Sequence, residues 1–422
     1  MAGPLAASRG DDDRRDCGAH SGNPPCVVVP VLITGADDFA TAKCLSFEHA
    51  SIKCSLMMRK SAHPGKSSEI LASWVPPLGI DQPLSIGSNH LDNRVFLAPL
   101  SGISDVAFRR LARRFGAGLV VSEMVASGEF VKGCDASAMR AMRDGAGLHA
   151  VQLAGRDPRW MRLAAERLAE LGADIIDINM GCPAKKVVGG LSGSALMREP
   201  DLALRIVEAT VAGAGDIPVT LKMRLGWDRA SMNAPELAAR AEAAGVRMIT
   251  VHGRTRADFY EGNADWPAIA AVRDAVGVPV VANGDLAHFA QLEPMLSSSR
   301  ADAVMVGRGA QGRPWLPGLL AGGVGLRELS AIQLSDLVEE HYDMMLAHYG
   351  LNVGIRHARK HLGWYLDRFG VGVGPITAAD RAAVMAGREP AVIVARLRRL
   401  FGDARLCDVE PTFQHDLFSD AA

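Results

Sequence analysis

Short runs of apolar, mostly β-branched residues recur along the chain from about Asn93, and segments with helical spacing separate them. Gly, Pro or polar residues bound each run, which is typical of buried strands. Strands that are apolar along their whole length and separated by helices indicate a parallel sheet whose outside is covered. Eight runs are predicted to be strands: Val95–Ala98, Leu119–Ser122, His149–Leu153, Ile175–Asn179, Val219–Met223, Met248–His252, Val278–Asn283 and Ala303–Gly307.

Eight strand-and-helix units match the size of a (β/α)8 TIM barrel, an α/β fold. The alternative is a doubly wound open sheet, which usually carries a Gly-x-Gly-x-x-Gly turn after its first strand. The first predicted strand runs into Pro99-Leu100-Ser101-Gly102, which lacks that turn. The pattern therefore favours the barrel.

The strand pattern ends near residue 328, and three segments with helical spacing follow: Leu334–Tyr349, Val353–Phe369 and Pro390–Phe401. We therefore expect a barrel over residues 84–327, a small helical domain over residues 328–410 and a tail over residues 411–422. Residues 1–83 show no period and are expected to be a weakly ordered leader. The tandem Met57-Met58 inside it suggests a later native start of translation.

Composition narrows the class of protein. Hydrophobic residues make up 48% and charged residues 22% of the 422 residues, so the chain can bury a large core. The 46 basic and 47 acidic side chains give a net charge of -1, so a polyanion would have to meet a local basic patch. No apolar run of 18 residues appears, which excludes a membrane span and predicts a cytoplasmic protein. None of the seven cysteines forms a Cys-x-x-Cys pair, which argues against a structural metal site.

Polar residues stand at the predicted carboxyl ends of the strands, where barrels of this kind place their active sites. Cys182 follows the fourth strand between Gly and Pro, and is either a small buried apolar residue or a thiol that exchanges a proton. Lys222 ends the fifth strand, where it can stabilise an anion in the barrel mouth. His252 ends the sixth strand and is equivalent to Asn179 in a near-repeat offset by 73 residues.

Two glycine-containing turns follow the seventh and eighth strands, where barrels commonly bind a phosphate. They are Asn283-Gly284-Asp285 and Gly307-Arg308. In the helical domain, Arg356-His357-Ala358-Arg359-Lys360-His361 is a dense basic cluster with aromatic residues just after it. Either a solvated helix face or a nucleic-acid contact explains this cluster.

Eight stretches of the chain, in the same order, resemble the tRNA-dihydrouridine synthases, and most closely their bacterial B-type branch. The resemblance covers about residues 90 to 400, and the Asn-Met-Gly-Cys-Pro stretch is its most specific part. The stretches are Asn93–Pro99, Ser122–Met124, Val151–Gly155, Asp177–Pro183, Leu221–Trp227, Val251–Arg256, Ala282–Asp285 and Gly307–Ala310.

The resemblance implies a flavoprotein oxidoreductase: an FMN-bearing barrel and a helical tRNA-binding domain that reduce the C5=C6 bond of selected uridines with NADPH. It implies that hydride passes from FMN to C6 while Cys182 protonates C5. It also implies a set of flavin-binding residues: Pro99, Leu100, Ser101, Gln152, Lys222, His252, Asn283, Gly284, Asp285, Gly307 and Arg308. The residues expected to contact tRNA are Asn179, Lys185, Lys186, Arg254, Arg356, Arg359 and Lys360. We expect a monomer with no metal.

One departure from the family pattern lies in the flavin site, because Leu100-Ser101 stands where the family usually has Met-Ala. Leu keeps the volume of Met, and Ser adds a hydroxyl, so we expect the contact to persist. Two alternatives remain. A dihydroorotate dehydrogenase would also be an FMN barrel, but would lack the basic helical domain. A tRNA-binding protein that has lost its chemistry would not need Cys182, Lys222 and His252 together.

Overall fold

The computed structural model describes residues 79–410, and these belong to one compact unit. The predicted tail lies outside this range, as does the predicted leader apart from residues 79–83. The described residues form eleven strands: β1 (Leu84–Ile86), β2 (Asn89–Leu91), β3 (Val95–Leu97), β4 (Leu119–Val120), β5 (Val125–Ala126), β6 (Ala150–Ala154), β7 (Ile175–Met180), β8 (Val219–Arg224), β9 (Val246–His252), β10 (Val280–Asn283) and β11 (Ala303–Val306).

Strands β3 to β11 form one parallel sheet that curls into a closed barrel. The order of neighbouring strands is β4-β3-β11-β10-β9-β8-β7-β6-β5. Val121, directly after β4, pairs in parallel with Ala150 of β6, and β5 pairs with β6 as well. Strands β4 and β5 therefore share one position in the barrel, which gives the eight positions expected and confirms the predicted fold.

Helices cover the barrel and continue beyond it. The described helices are α1 (Val106–Arg114), α2 (Ser127–Val131), α3 (Asp135–Arg140), α4 (Pro158–Glu170), α5 (Lys185–Gly189), α6 (Pro200–Ala214), α7 (Ala234–Ala243), α8 (Trp266–Ala275), α9 (Leu292–Ser299), α10 (Leu316–Ala321), α11 (Leu326–Ser330), α12 (Leu334–Tyr349), α13 (Leu351–Gly372), α14 (Ala378–Ala386) and α15 (Pro390–Phe401). In the part of the chain that the structure describes, none of them has the length and apolarity to span a membrane.

Helix α4 shows how the sequence sets these elements. Asp157 accepts a hydrogen bond from the backbone N–H of Arg159, and Pro158 fills the first turn, so both capping rules agree on where the helix begins. Its apolar stripe, which includes Met161 and Leu168, is completely buried against the barrel.

A second apolar core joins the C-terminal helices to α1 of the barrel. The rings of Phe115, just after α1, and Trp315 meet edge to face, with centroids 6.2 Å apart. The end of the described chain returns to the same place, because Glu410 accepts hydrogen bonds from the guanidinium of the buried Arg313 and from the indole N–H of Trp315. The C-terminal helices are thus packed and ion-paired against the barrel rather than tethered by a linker.

Candidate active site

A chain of buried side chains runs up the inside of the barrel to its carboxyl end. Asp177 of β7 accepts from the hydroxyl of Thr220 and from the amide of Gln152, each at 2.6 Å. The Gln152 oxygen accepts in turn from the amide of Asn179 at 2.7 Å. Each polar group of this chain therefore has a hydrogen-bond partner, which a buried network needs if it is to hold one geometry.

This chain ends at the loop that carries Cys182. The Asn179 oxygen accepts from the backbone N–H groups of Gly181 at 3.2 Å and Cys182 at 3.0 Å. On the other side, Ser194 donates its hydroxyl to the carbonyl of Cys182 at 2.9 Å. The loop is therefore fixed from both ends, and the half-buried thiol stands at a defined point of the barrel mouth.

The environment of Cys182 favours its protonated form. Burial is the largest influence and raises the pKa of the thiol, against smaller opposing effects from a backbone N–H and from Arg224 and Lys222. A thiol with a raised pKa keeps its proton at neutral pH, so Cys182 can serve as a proton donor rather than as a standing nucleophile.

Lys222 lies beside Asn179 in the register of β7 and β8. Its ammonium group donates to the side-chain oxygen of Asn283 at 2.9 Å, across the mouth of the barrel. Burial and the nearby Arg224 lower the pKa of Lys222 to about 8, so the side chain is still mostly charged at neutral pH. A half-buried ammonium with one neutral acceptor suits an anionic partner in the mouth.

His252 ends β9 beside this ammonium, and Asn283 is its neighbour in the register of β9 and β10. Burial, together with Lys222 and the surrounding arginines, holds the pKa of His252 well below its usual range. The imidazole is therefore neutral at pH 7 and can donate one hydrogen bond and accept another.

The turn after β10 has a backbone that few sequences can adopt. Gly284 has a φ of 124° and Asp285 a φ of 62°, both in the left-handed region. A Cβ on Gly284 would lie 2.7 Å from Ala264 and 3.0 Å from the His252 ring, so no larger residue fits there. The turn therefore holds Asn283 and Asp285 at the rim.

The remaining predicted cofactor residues lie on the same rim. Gly307 follows β11, and the exposed Arg308 places its guanidinium 5.0 Å from the Tyr260 ring centroid and 3.5 Å from the Asp285 carboxylate. In the loop after β3, Pro99 and Leu100 are half-buried and Ser101 is exposed. All eleven predicted cofactor residues thus stand inside the barrel or at its carboxyl end.

The residues predicted to contact tRNA fall into different environments. Arg254 is 1% exposed; it pairs with the Asp285 carboxylate and donates to the carbonyls of Glu261 and Gly262. Its donors are therefore used within the protein. Lys185 and Lys186 are exposed at the start of α5.

In α13, Arg356 is exposed, whereas Arg359 and Lys360 are half-buried. The Lys360 ammonium lies 2.7 Å from where a Cβ of Gly102 would be, beside the loop after β3. Of these three residues, Arg356 is therefore the one most accessible to a phosphate of tRNA.

Three site residues were not assigned a role from the sequence. Asp177 anchors the buried chain, Arg224 donates to the carbonyl of Gly181 at 2.8 Å, and Glu123 accepts from the backbone N–H of Gly102. The pKa of Asp177 and that of Glu123 are raised by burial. Asp177 could have been identified from the sequence, because it is a carboxylate inside an otherwise apolar strand and such a group needs hydrogen-bond partners when it is buried.

Comparison with known proteins agrees with this geometry. The family model described as "Dihydrouridine synthase (Dus)" matches residues 96–374. A "Probable tRNA-dihydrouridine synthase" of Rhizobium leguminosarum bv. phaseoli is 57% identical over 305 residues, which are 72% of this chain and 94% of that protein. One of Rhodobacter capsulatus is 54% identical over 326 residues, 76% of this chain and 98% of that protein. The "tRNA-dihydrouridine synthase B" of Pseudomonas aeruginosa is 46% identical over 286 residues, 67% and 86% of the two chains.

Proposed function

This chain belongs to the dihydrouridine synthase family, and on that premise we propose that it reduces the C5=C6 bond of uridines in tRNA to 5,6-dihydrouridine. The observation that carries the proposal is the position of the Cys182 thiol, which a continuous buried network holds in the same barrel mouth as the Lys222 ammonium. Such an arrangement offers a proton and a positive charge at one place, which the reduction of an electron-poor double bond requires.

FMN fits the donor set of this rim. Lys222 and Arg308 supply positive charge, the neutral His252 supplies a donor and an acceptor, and Gly307 leaves room, since a Cβ there would approach nothing closer than the Asn283 amide at 3.9 Å. We propose that these residues and Gln152 hold FMN. When bound and reduced by NADPH, FMN supplies the hydride that adds to C6 of the base.

Cys182 completes the reaction by giving its proton to C5. Addition of hydride at C6 leaves negative charge on C5 and on the oxygen at C4, and proton transfer from the thiol removes it. One hydride and one proton are then added across the double bond, and the thiolate that remains regains a proton from solvent. Lys222 and Arg224 lower the pKa of the thiol, so they stabilise the thiolate after transfer.

The target base must leave the folded tRNA to reach this mouth, as it does in other enzymes that modify bases. We propose that the exposed Arg356 on α13 contacts a phosphate of tRNA, and that Lys185 and Lys186 on α5 contact the strand nearer the target. Asn179 is proposed to contact the base itself, because it holds the Cys182 loop and stands at the same rim.

The test is dihydrouridine formation in tRNA transcribed in vitro, which carries no modifications. Purified protein loaded with FMN is incubated with this tRNA and NADPH or NADH, and dihydrouridine is mapped by position. We expect dihydrouridine at particular uridines only when a nicotinamide cofactor is present. A flavin-loaded protein that left the tRNA unchanged but oxidised dihydroorotate would overturn the proposal in favour of the dehydrogenase alternative.

A further inference from the structure

Three successive loops meet beside the Cys182 loop at the carboxyl end of the barrel. They are the 3-10 helix Gly193–Arg198 after β7, the segment around Trp227 after β8 and the segment around Arg256 after β9. Backbone hydrogen bonds join the last two, from Arg256 to the carbonyl of Gly226 at 2.9 Å and from Ala257 to that of Trp227 at 2.8 Å. The three loops therefore form one surface.

Two guanidinium groups stack on one tryptophan in this surface. The guanidinium carbon of Arg198 lies 4.0 Å from the centroid of the Trp227 ring, and that of Arg256 lies 4.7 Å from it. Within residues 79–410, neither side chain takes part in an ion pair, and the Nε of Arg256 is buried without a hydrogen-bond partner. Stacking fixes the plane of each guanidinium and leaves its in-plane N–H groups available.

The neighbouring arginines of the same rim are committed elsewhere. Arg224 donates to the carbonyls of Gly181, Thr255 and Phe259, and Arg254 pairs with Asp285. Arg229 pairs with the carboxylates of Asp258 and Asp265. Arg198 and Arg256 differ from these three arginines, because within residues 79–410 their guanidinium groups have neither an ion pair nor a hydrogen bond to a carbonyl.

We infer that Arg198 and Arg256, held by Trp227, form a phosphate-binding site for the RNA strand that carries the target uridine. The planar guanidinium matches a phosphate with two parallel hydrogen bonds, and a phosphodiester supplies the missing negative charge. Neither arginine was identified from the sequence as a substrate contact, and the inference deepens the proposed function on which it rests.

The position of the pair supports an RNA strand close to the reacting base. Ser194, which binds the Cys182 carbonyl, belongs to the same 3-10 helix as Arg198 and precedes it by four residues. At the usual rise of a 3-10 helix this separates them by about 8 Å along the axis. A strand whose base enters the mouth would therefore pass within reach of this pair.

The experiment measures binding of unmodified tRNA to the FMN-loaded protein without turnover, over a series of salt concentrations. Arg198→Gln and Arg256→Gln are each expected to weaken binding roughly fivefold to tenfold near 0.1 M salt. Each is also expected to flatten the slope of log K against log salt by about 0.7 to 0.9, the value for one lost phosphate contact. Arg256→Lys keeps the charge and should retain the slope.

Arg162→Gln is the matched control, because Arg162 lies exposed on α4 and pairs with Glu166 alone among the residues that the structure describes. It should leave affinity and slope unchanged. Turnover by the arginine variants should show a raised KM for tRNA with kcat little changed. If the wild-type protein bound tRNA tightly and both glutamine variants showed the wild-type salt slope, the phosphate-binding site would be wrong while the proposed function would stand. Wild-type protein that failed to bind tRNA would overturn the proposed function and this site with it.

Discussion

The protonation state of Cys182 follows from where its loop is placed. Burial disfavours the thiolate, and it raises the pKa of the thiol more than Arg224 and Lys222 lower it. A cysteine between Gly and Pro is more often a small apolar residue than a reactive one. Here the buried chain through Gln152 and Asn179 positions the backbone of the loop, which a residue with a packing role alone would not require.

Cys182→Ala is therefore expected to separate the two halves of the reaction. The variant should bind FMN and be reduced by NADPH at the wild-type rate, because no residue that we propose to bind the flavin changes. Its reduction of tRNA should fall by about 10²- to 10⁴-fold, the usual contribution of a positioned acid. The measurement pairs flavin absorbance under NADPH with dihydrouridine content. Cys407→Ala, in the 3-10 helix Leu406–Val409 that follows α15, is the control. Unchanged tRNA reduction by the Cys182 variant would remove the thiol from the mechanism.

The sequence identified the residue types of the site better than it identified their partners. Arg254 follows a predicted strand and reads as a free cation, yet the fold encloses it with Asp285. Lys360 lies in the basic cluster, yet it approaches the loop after β3. Both outcomes depend on residues far away in the sequence, so a local pattern of charges cannot reveal them. The placement of Cys182, Lys222 and His252 at the carboxyl end of the barrel could be predicted because strand ends are recognisable locally.

At the scale of elements, the alternation of apolar runs with helical segments was enough to predict all eight barrel positions. The second predicted strand, Leu119–Ser122, differs, because the structure divides that position between β4 and β5. The interruption falls where the Ser122 hydroxyl donates to the carbonyl of Glu123 and accepts from the backbone N–H of Gln152. The β1–β2 hairpin was also missed, since strands of three residues carry too little periodicity to detect.

The ion pair between Arg254 and Asp285 fixes the loop after β9 to the turn after β10. Removing one partner of such a pair leaves the other charge buried without compensation. Asp285→Ala is expected to lower the free energy of unfolding by about 2 to 3 kcal/mol, because Arg254 keeps two carbonyl acceptors. Unfolding in urea measures this.

Adding Arg254→Met to Asp285→Ala should cost less than the sum of the single changes, since the double variant buries no lone charge. Asp201→Ala, which removes a partner of Arg240 at the surface, is the control and should change stability little. Additive losses in the double variant would show that the pair is not coupled.

At the scale of the whole molecule, the barrel and the C-terminal helices share a contact region that contains two buried histidines. His341 of α12 and His361 of α13 lie with ring centroids 4.7 Å apart, and each also packs against Phe108 of α1. His341 bonds the hydroxyl of Tyr365, whereas neither ring nitrogen of His361 has a partner within the described residues. Burial lowers the pKa of His341 to about 3 and that of His361 well below its usual range.

These two histidines make the association of the two regions sensitive to acid. Both are neutral in the folded protein, while in the unfolded chain they take up protons below a pKa of about 6.5. Between pH 6.5 and the lower pKa of the folded state, the unfolded chain therefore binds more protons than the folded protein. The contribution of the neutral histidines to the free energy of unfolding is present above pH 6.5 and is lost as the pH falls. His341, with a folded pKa of about 3, should cost about 2 kcal/mol between pH 7 and pH 5, and His361 should add to that loss.

Replacing His361 tests this, because its side chain makes no hydrogen bond to any residue of the described range 79–410 that the variant would lose. His361→Leu should fold at pH 7 with a stability close to that of wild type, and its loss of stability on going to pH 5 should be smaller than that of wild type. Urea unfolding at the two pH values, followed by tryptophan fluorescence, gives both numbers. His90→Gln, at an exposed position in β2, should lose as much as wild type. An equal acid loss in His361→Leu and wild type would place the acid sensitivity in the carboxylates instead.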